Sequence, residues 1–328
     1  MLTKSWAIHA TGILKVFSIL IVVYSCIVLT FFFQPDLIVE LFFQSEGISS
    51  PSFEPKSYNL PGHNFYINSN NGMIPIWVLG NNIKTAEEEE SKKFSFSQQL
   101  VVFLLHGIKY NRYDSRKIKV YKYLIDMGAV VVTLDYKGFS EYIGDSNGNA
   151  AIEDVITVYK WLEEQYDERV YKVWWGHSAG CGIAVEALLR GKFEVDHLIF
   201  ESGFASIKSL MINKTPFKML FGWWMPFSFD WIFKPVLERS GLMFDNVNGL
   251  QKVKSHIYHV HSYYDRVVPI EEALMINNTM SRSYFYHPVF TRDKSIPESH
   301  YISTHSEQLI ASLFKDIYKI YPQQGENE

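Results

Sequence analysis

Ser178 stands in the run Gly176-His177-Ser178-Ala179-Gly180, between an apolar stretch at 170–175 and an amphipathic one at 183–189. Strand, G-x-S-x-G, helix is the order a nucleophile elbow requires. The tight turn strains the serine backbone, and side chains two positions before and after it would collide, so Gly176 and Gly180 relieve the crowding. Ser178 would then project above the carboxyl edge of a sheet, at a helix N-terminus whose dipole favours developing negative charge.

A serine hydroxyl is a poor nucleophile until a histidine takes its proton, and that imidazole needs a carboxylate to hold its tautomer. With this elbow the partners follow in the order serine, acid, histidine. Asp265 lies in His261-Ser262-Tyr263-Tyr264-Asp265-Arg266-Val267-Val268-Pro269, directly after the apolar run 257–260, which places it in a loop at a strand's carboxyl end. Capping the next helix is its other available role, and Glu201, at the end of the preceding strand, is the second candidate acid. The base should lie between the last strand and the last helix, which leaves His300 and His305. His300 sits mid-loop in Pro297-Glu298-Ser299-His300-Tyr301, whereas His305 adjoins Ser306, a helix start, so His300 is preferred. Two backbone donors would hold the oxyanion: the N–H of Ala179 and that of Ile108, which follows Leu104-Leu105-His106-Gly107. His106 reads as structural.

These residues need a scaffold. Short apolar runs at 100–105, 129–134, 170–175, 197–200, 257–260 and 284–290 alternate with helix candidates at 115–127, 151–166, 180–190, 270–280 and 306–321. Apolar strands each followed by a helix indicate a mostly parallel sheet with helices on both faces. Upstream, 65–67 and 74–79 flank an Asn-rich turn and form a hairpin. Residues 81–99 are a polar excursion, read as a solvated loop. The segment 204–247 breaks the alternation; it is aromatic-rich, with Phe217, Phe221, Trp223, Trp224, Phe227, Phe229, Trp231 and Phe233, and reads as a cap over the site. Its aromatics suit either the core of a helical subdomain or a lipid-facing surface.

The chain as a whole narrows the possibilities. At 328 residues, 47% hydrophobic and 20% charged, it can bury a large single core, which excludes a mainly disordered protein. A formal charge of -4 without a dense basic block excludes nucleic acid as a partner. Only Cys26 and Cys181 occur, too few for a disulfide framework or a zinc cluster, so no metal and no cofactor are expected. Residues 16–33 carry no charge and approach the length that crosses a bilayer. Lys4 and Lys15 precede them and Asp36, Glu40 and Glu46 follow, so the positive-inside bias predicts a cytosolic N-terminus (1–15), a transmembrane signal anchor (16–33), a juxtamembrane linker (34–64) and a lumenal catalytic domain (65–328). Asn213-Lys214-Thr215 and Asn277-Asn278-Thr279 are glycosylation acceptors if they lie in lumenal loops.

Several ordered motifs, L-L-H-G at 104–107, D-Y-K-G-F at 135–139, G-D-S-N-G at 144–148, G-H-S-A-G at 176–180, D-R-V-V-P at 265–269 and S-H-Y at 299–301, make the chain resemble the lysophosphatidylserine lipase and monoacylglycerol hydrolase group of membrane-anchored α/β-hydrolases. The resemblance runs from about residue 66 to the C-terminus. It implies the α/β-hydrolase fold, an N-terminal anchor, an endoplasmic-reticulum membrane location with a lumenal catalytic face, and ester hydrolysis on single-chain lipids, with lipid and bilayer as partners. Two features depart from that group: Ile108, Lys109 and Tyr110 replace the usual Asn and small residues after His106-Gly107, and Ser140 to Ile143 are extra. Fold alone does not name the acyl donor, so a thioesterase, a peptidase and a catalytically silent binding protein remain alternatives.

Overall fold

A computed structural model describes residues 15–16, 18–26, 29–30, 33–34, 37, 52–81, 83, 100–109, 111–166, 170–213, 229–231, 233–297 and 299–320. Its centre is an eight-stranded sheet: β1 (Gly62–Ser69), β2 (Gly72–Leu79), β3 (Leu100–Leu105), β4 (Val130–Leu134), β5 (Tyr171–His177), β6 (His197–Glu201), β7 (His256–Ser262) and β8 (Tyr286–Thr291), in the order β1-β2-β4-β3-β5-β6-β7-β8. β1 and β2 form an antiparallel hairpin closed by the pair Ser69–Gly72, and β2 lies antiparallel to β4. The six remaining strands run parallel. Their carboxyl ends therefore share one edge, where an open α/β sheet places its chemistry.

Period-two alternation divides the core into two layers. On β3, Val101, Phe103 and Leu105 face one layer and Leu100, Val102 and Leu104 the other; on β4, Val130, Val132 and Leu134 oppose Val131. The helices cover both faces: α1 (Ser115–Asp126), α2 (Gly148–Glu163), α3 (Ala179–Gly191), α4 (Ile207–Asn213), α5 (Lys234–Arg239), α6 (Asn246–Leu250), α7 (Ile270–Met280), α8 (Ile302–His305) and α9 (Glu307–Ile320). α2 and α3 pack on the first layer, through Val155, Val158, Tyr159, Ile183 and Leu188. α1 and α9 pack on the second, through Val120, Leu124, Leu313 and Phe314. Truncating any of these to alanine would cost about 2–5 kcal/mol.

Caps explain where helix boundaries differ from the periodicity. α2 starts at Gly148 rather than 151 because the Asn147 side chain accepts from the Ala150 N–H at 2.8 Å. A short additional helix precedes the last one: α8 ends at His305, and Ser306 Oγ accepts the Leu309 N–H at 3.2 Å at the start of α9, close to the expected 306.

Residues 214–228 and 232, most of the expected cap, lie outside the described residues, as do 84–99 of the polar excursion. The described part of the insertion is tied to α7 by Glu272, which is fully buried and accepts from Ala205 N at 3.0 Å, Ser209 Oγ at 2.5 Å and Asn213 Nδ2 at 3.0 Å. Phe229 and Phe233 are buried while Trp231 is 84% exposed. The expected span 16–33 also lies partly outside the described residues. Residues 18–26 are helical, and among the described residues no helix is long and apolar enough to cross a membrane.

Candidate active site

Ser178 joins β5 to α3 with φ 55° and ψ -120°, a conformation that costs a non-glycine residue roughly 1–3 kcal/mol. Neighbouring chain holds it there. The Ser178 N–H donates to the Glu201 carbonyl at 2.9 Å, and the Ser178 carbonyl accepts from Cys181 N at 3.0 Å. A side chain on Gly180 would collide with the Leu105 carbonyl at 2.3 Å, and one on Gly176 with the Cys181 backbone at 2.7 Å, so the turn closes only with glycine at both positions. Buried Cys181 fills the space beneath, its Sγ 3.1 Å from the Gly176 carbonyl, and burial pushes its thiol pKa well up.

Ala179 opens α3, so its N–H belongs to the helix's first-turn donors, which have no partner within the helix. The loop after β3 runs against the serine. A Cβ on Gly107 would sit 3.2 Å from Ser178 Cβ, and half-buried Ile108 follows it. Ala179 thus follows Ser178 in the chain, and Ile108 follows the glycine that lies against it.

Asp265 and His300 meet across the β7 and β8 loops. The His300 Nδ1–H donates to Asp265 Oδ2 at 2.7 Å, while Asp265 Oδ1 accepts the Val267 and Val268 N–H groups at 2.8 and 2.9 Å. Burial raises the Asp265 carboxyl pKa, but the hydrogen bond and charge of His300 outweigh it and leave the group below the usual carboxylate range. Asp265 is therefore ionised at neutral pH and selects the tautomer that leaves His300 Nε2 free to accept a proton. Ser299 Oγ, donating to the Tyr264 carbonyl at 2.6 Å, ties the two loops together.

Glu201 and His305, the alternatives, are placed otherwise. The Glu201 carboxylate is buried and accepts from Trp175 Nε1 at 2.9 Å, Ser303 N at 2.8 Å and Ser303 Oγ at 3.0 Å. It braces α8 and not the imidazole; burial raises its pKa against those hydrogen bonds. His305 is exposed at the end of α8.

Two contributors escape a reading of spacing. His177, beside the serine, donates from Nε2 to the His300 carbonyl at 2.8 Å and stacks on Tyr301 at 4.6 Å between ring centroids. Burial lowers its pKa to about 3, so it stays neutral and acts as a brace. Arg112, four residues past Ile108, is fully buried and pairs with both Asp135 and Glu141. Glu141 belongs to the extra residues 140–143, so this ion pair ties that insertion to the chain that follows the altered loop 108–110. His106 lies beneath this network with its Nε2 3.5 Å from Asp135 and its ring 4.2 Å from that of Tyr136.

The glycosylation acceptors are not in loops. Asn213 ends α4 with its Nδ2 donating to Glu272, and Asn277 lies inside α7. The local pattern N-x-T carries no information on such partners, whose sequence separation is 59 residues for Asn213 and Glu272.

Comparison with known proteins bears on the family and the fold. A family model described as Serine aminopeptidase, S33 (Hydrolase_4) matches residues 97–273, more than half of the chain. Among curated proteins, the lysophosphatidylserine lipase ABHD12 of Danio rerio is 28% identical over 218 residues, covering 64% of this chain and 56% of that protein. Human Protein ABHD12B is 29% identical over 174 residues, covering 52% and 47%. The matched region thus spans about half the length of these relatives. Among solved structures, the Pyrococcus furiosus esterase Pf2001 superposes with a TM-score of 0.61 at 15% identity, covering 85% of this chain and 98% of that one. A Pyrococcus horikoshii acylaminoacyl peptidase superposes with a TM-score of 0.56 at 16% identity, covering 78% and 41%. At such identities the superpositions speak for the fold alone, that of an α/β-hydrolase.

Proposed function

Given that the chain belongs to the serine aminopeptidase S33 (Hydrolase_4) family, we propose that it is a carboxylic ester hydrolase cleaving single-chain lipids, a lysophospholipid such as lysophosphatidylserine or a monoacylglycerol. The observation that carries this reading is the 2.7 Å Asp265–His300 hydrogen bond, taken with an elbow serine held at φ 55°. Ser178 Oγ attacks the acyl carbonyl as His300 Nε2 takes its proton, and the N–H groups of Ile108 and Ala179 receive the oxyanion. As the tetrahedral intermediate collapses, His300 returns the proton to the departing alcohol and leaves an acyl-enzyme on Ser178. Water, deprotonated by His300, then releases the fatty acid. Asp265 stabilises the imidazolium in both halves.

The relatives named lysophosphatidylserine lipase support the lipid substrate. The uncharged run 16–33 supports a retained anchor, with the catalytic domain lumenal and residues 204–247 as a cap facing the bilayer. Resistance to carbonate extraction, together with protease protection of the catalytic domain in sealed microsomes, is the expected outcome; digestion in intact vesicles would contradict the topology. The description of the family model favours amide cleavage as the second reading.

Fatty-acid release by membranes carrying wild type or Ser178→Ala tests the activity across lysophosphatidylserine, other lysophospholipids, monoacylglycerol, a short-chain ester and an aminoacyl amide. Ser178-dependent release from the lipids is expected. Ser178-dependent cleavage of the amide alone would establish the second reading.

A further inference from the structure

An open cavity of about 760 Å³ lies against His300, walled by Arg116, Tyr264, Arg266, Lys294 and Tyr301. Its size suits a small polar headgroup. Three of its lining side chains are cations, and no carboxylate lines it among the described residues. Arg116 is already balanced by Asp114, through contacts of 2.9 and 3.0 Å, and lies over the Tyr301 ring at 4.4 Å. Arg266 and Lys294 have no ion-pair partner among the described residues; Lys294 Nζ approaches only the Tyr264 ring, at 5.4 Å from its centroid. Two cations without an ion-pair partner among the described residues therefore line a space that the imidazole borders.

The chemistry decides which part of a substrate would enter it. In the hydrolysis proposed above, His300 hands its proton to the leaving alcohol, so that alcohol and its substituents lie on the imidazole side while the acyl group stays on Ser178. A lysophospholipid's leaving alcohol carries a phosphodiester, whereas that of a monoacylglycerol carries only hydroxyls. Resting on the hydrolase reading, we infer that Arg266 and Lys294 form an anion site for the phosphodiester headgroup of the leaving alcohol and set a preference for anionic lysophospholipids over neutral monoacylglycerols. Arg116 also lines the cavity, held by Asp114 and lying over the Tyr301 ring. Burial is incomplete, so the site discriminates by charge and not by a sealed fit.

The test compares kcat/KM for lysophosphatidylserine with that for a monoacylglycerol of the same acyl chain, both in one neutral detergent at fixed ionic strength, using the full chain. Both side chains are exposed, so Arg266→Gln and Lys294→Gln leave the fold intact. The ratio should fall at least tenfold in the double variant, through KM and not kcat, and Arg266→Lys should retain part of it. An unchanged ratio, or an equal loss on both substrates, would overturn the assignment while leaving ester hydrolysis standing. No release by wild type from any ester would instead remove the hydrolase reading, and the inference with it. A water-soluble glycerophosphodiester and inorganic phosphate, added separately as inhibitors, distinguish the sources of the anion. Stronger competition by the glycerophosphodiester supports a headgroup site, and equal competition would mean a phosphate site and overturn the lipid assignment.

Discussion

Two histidine–aspartate pairs built on different carboxylates have opposite characters. His300 and Asp265 meet at 2.7 Å on loops that border an open cavity. His106 and Asp135 meet only at 3.5 Å, and neither is exposed at all. Burial pushes the His106 pKa well down and raises that of Asp135, against the pull of Arg112 and Lys117. Asp265, by contrast, is held ionised by its histidine and two backbone N–H groups. In the proposed mechanism the same residue types thus make a proton-transfer pair at one end and an inert brace at the other. The open cavity beside His300 and the competing partners of the carboxylate make the difference: Asp135 serves Arg112, and Asp265 serves His300.

The largest expected effect separates the two imidazoles. His300→Ala should lower kcat by about 10⁶-fold, as Ser178→Ala does, because the members of a triad act as a unit. His106→Gln should keep kcat within tenfold of wild type; steady-state turnover of a short-chain ester reads both. A kcat loss in His106→Gln as large as that in His300→Ala would dissolve the distinction.

The two carboxylates should differ next. Asp265→Asn keeps the geometry but favours the wrong tautomer, and should cost about 10⁴-fold in kcat. Asp135→Asn should act on stability instead. It leaves the buried Arg112 with one carboxylate fewer, and urea unfolding should show a loss of about 3–5 kcal/mol, the scale of breaking a buried pair. Arg112→Ala should match it, because it strands Asp135.

The smallest effect concerns pH. His177 is neutral in the fold, with a pKa lowered by burial to about 3, whereas the unfolded chain protonates it near pH 6.5. A depressed folded value means that its contribution is complete above pH ~6.5 and is lost as pH falls from there towards 3, with a slope of up to about 1.4 kcal/mol per pH unit. Stability of His177→Gln should therefore fall less steeply than that of wild type between pH 6.5 and 5; parallel curves would show that this imidazole titrates normally.

Local pattern carried the sheet and the elbow well. Alternation along β3 and β4, the glycines around Ser178 and the strand-helix punctuation are short-range signals, and they specify the parallel sheet and the turn directly. The loop positions of Asp265 and His300 followed from strand order. The role of each buried polar group did not. Glu201 looks like an acid from its place at a strand end, yet Ser303, 102 residues later, occupies it. The Arg112–Glu141 pair bridges two loops 29 residues apart, and nothing in either segment announces it. Boundaries shifted where a cap such as Asn147 overrode apolar periodicity.

The proposed mechanism has Ser178 activated by the His300–Asp265 pair, whose imidazole borders the open cavity, and not by the His106–Asp135 pair. Labelling of the intact chain by a fluorophosphonate, with the adduct mapped by peptide mass, tests this most directly. The expected result is a single adduct on Ser178, formed at comparable rates in wild type and His106→Gln and lost in folded His300→Ala. An adduct on Ser178 that forms at the wild-type rate without His300, or that disappears with His106 alone, would contradict it.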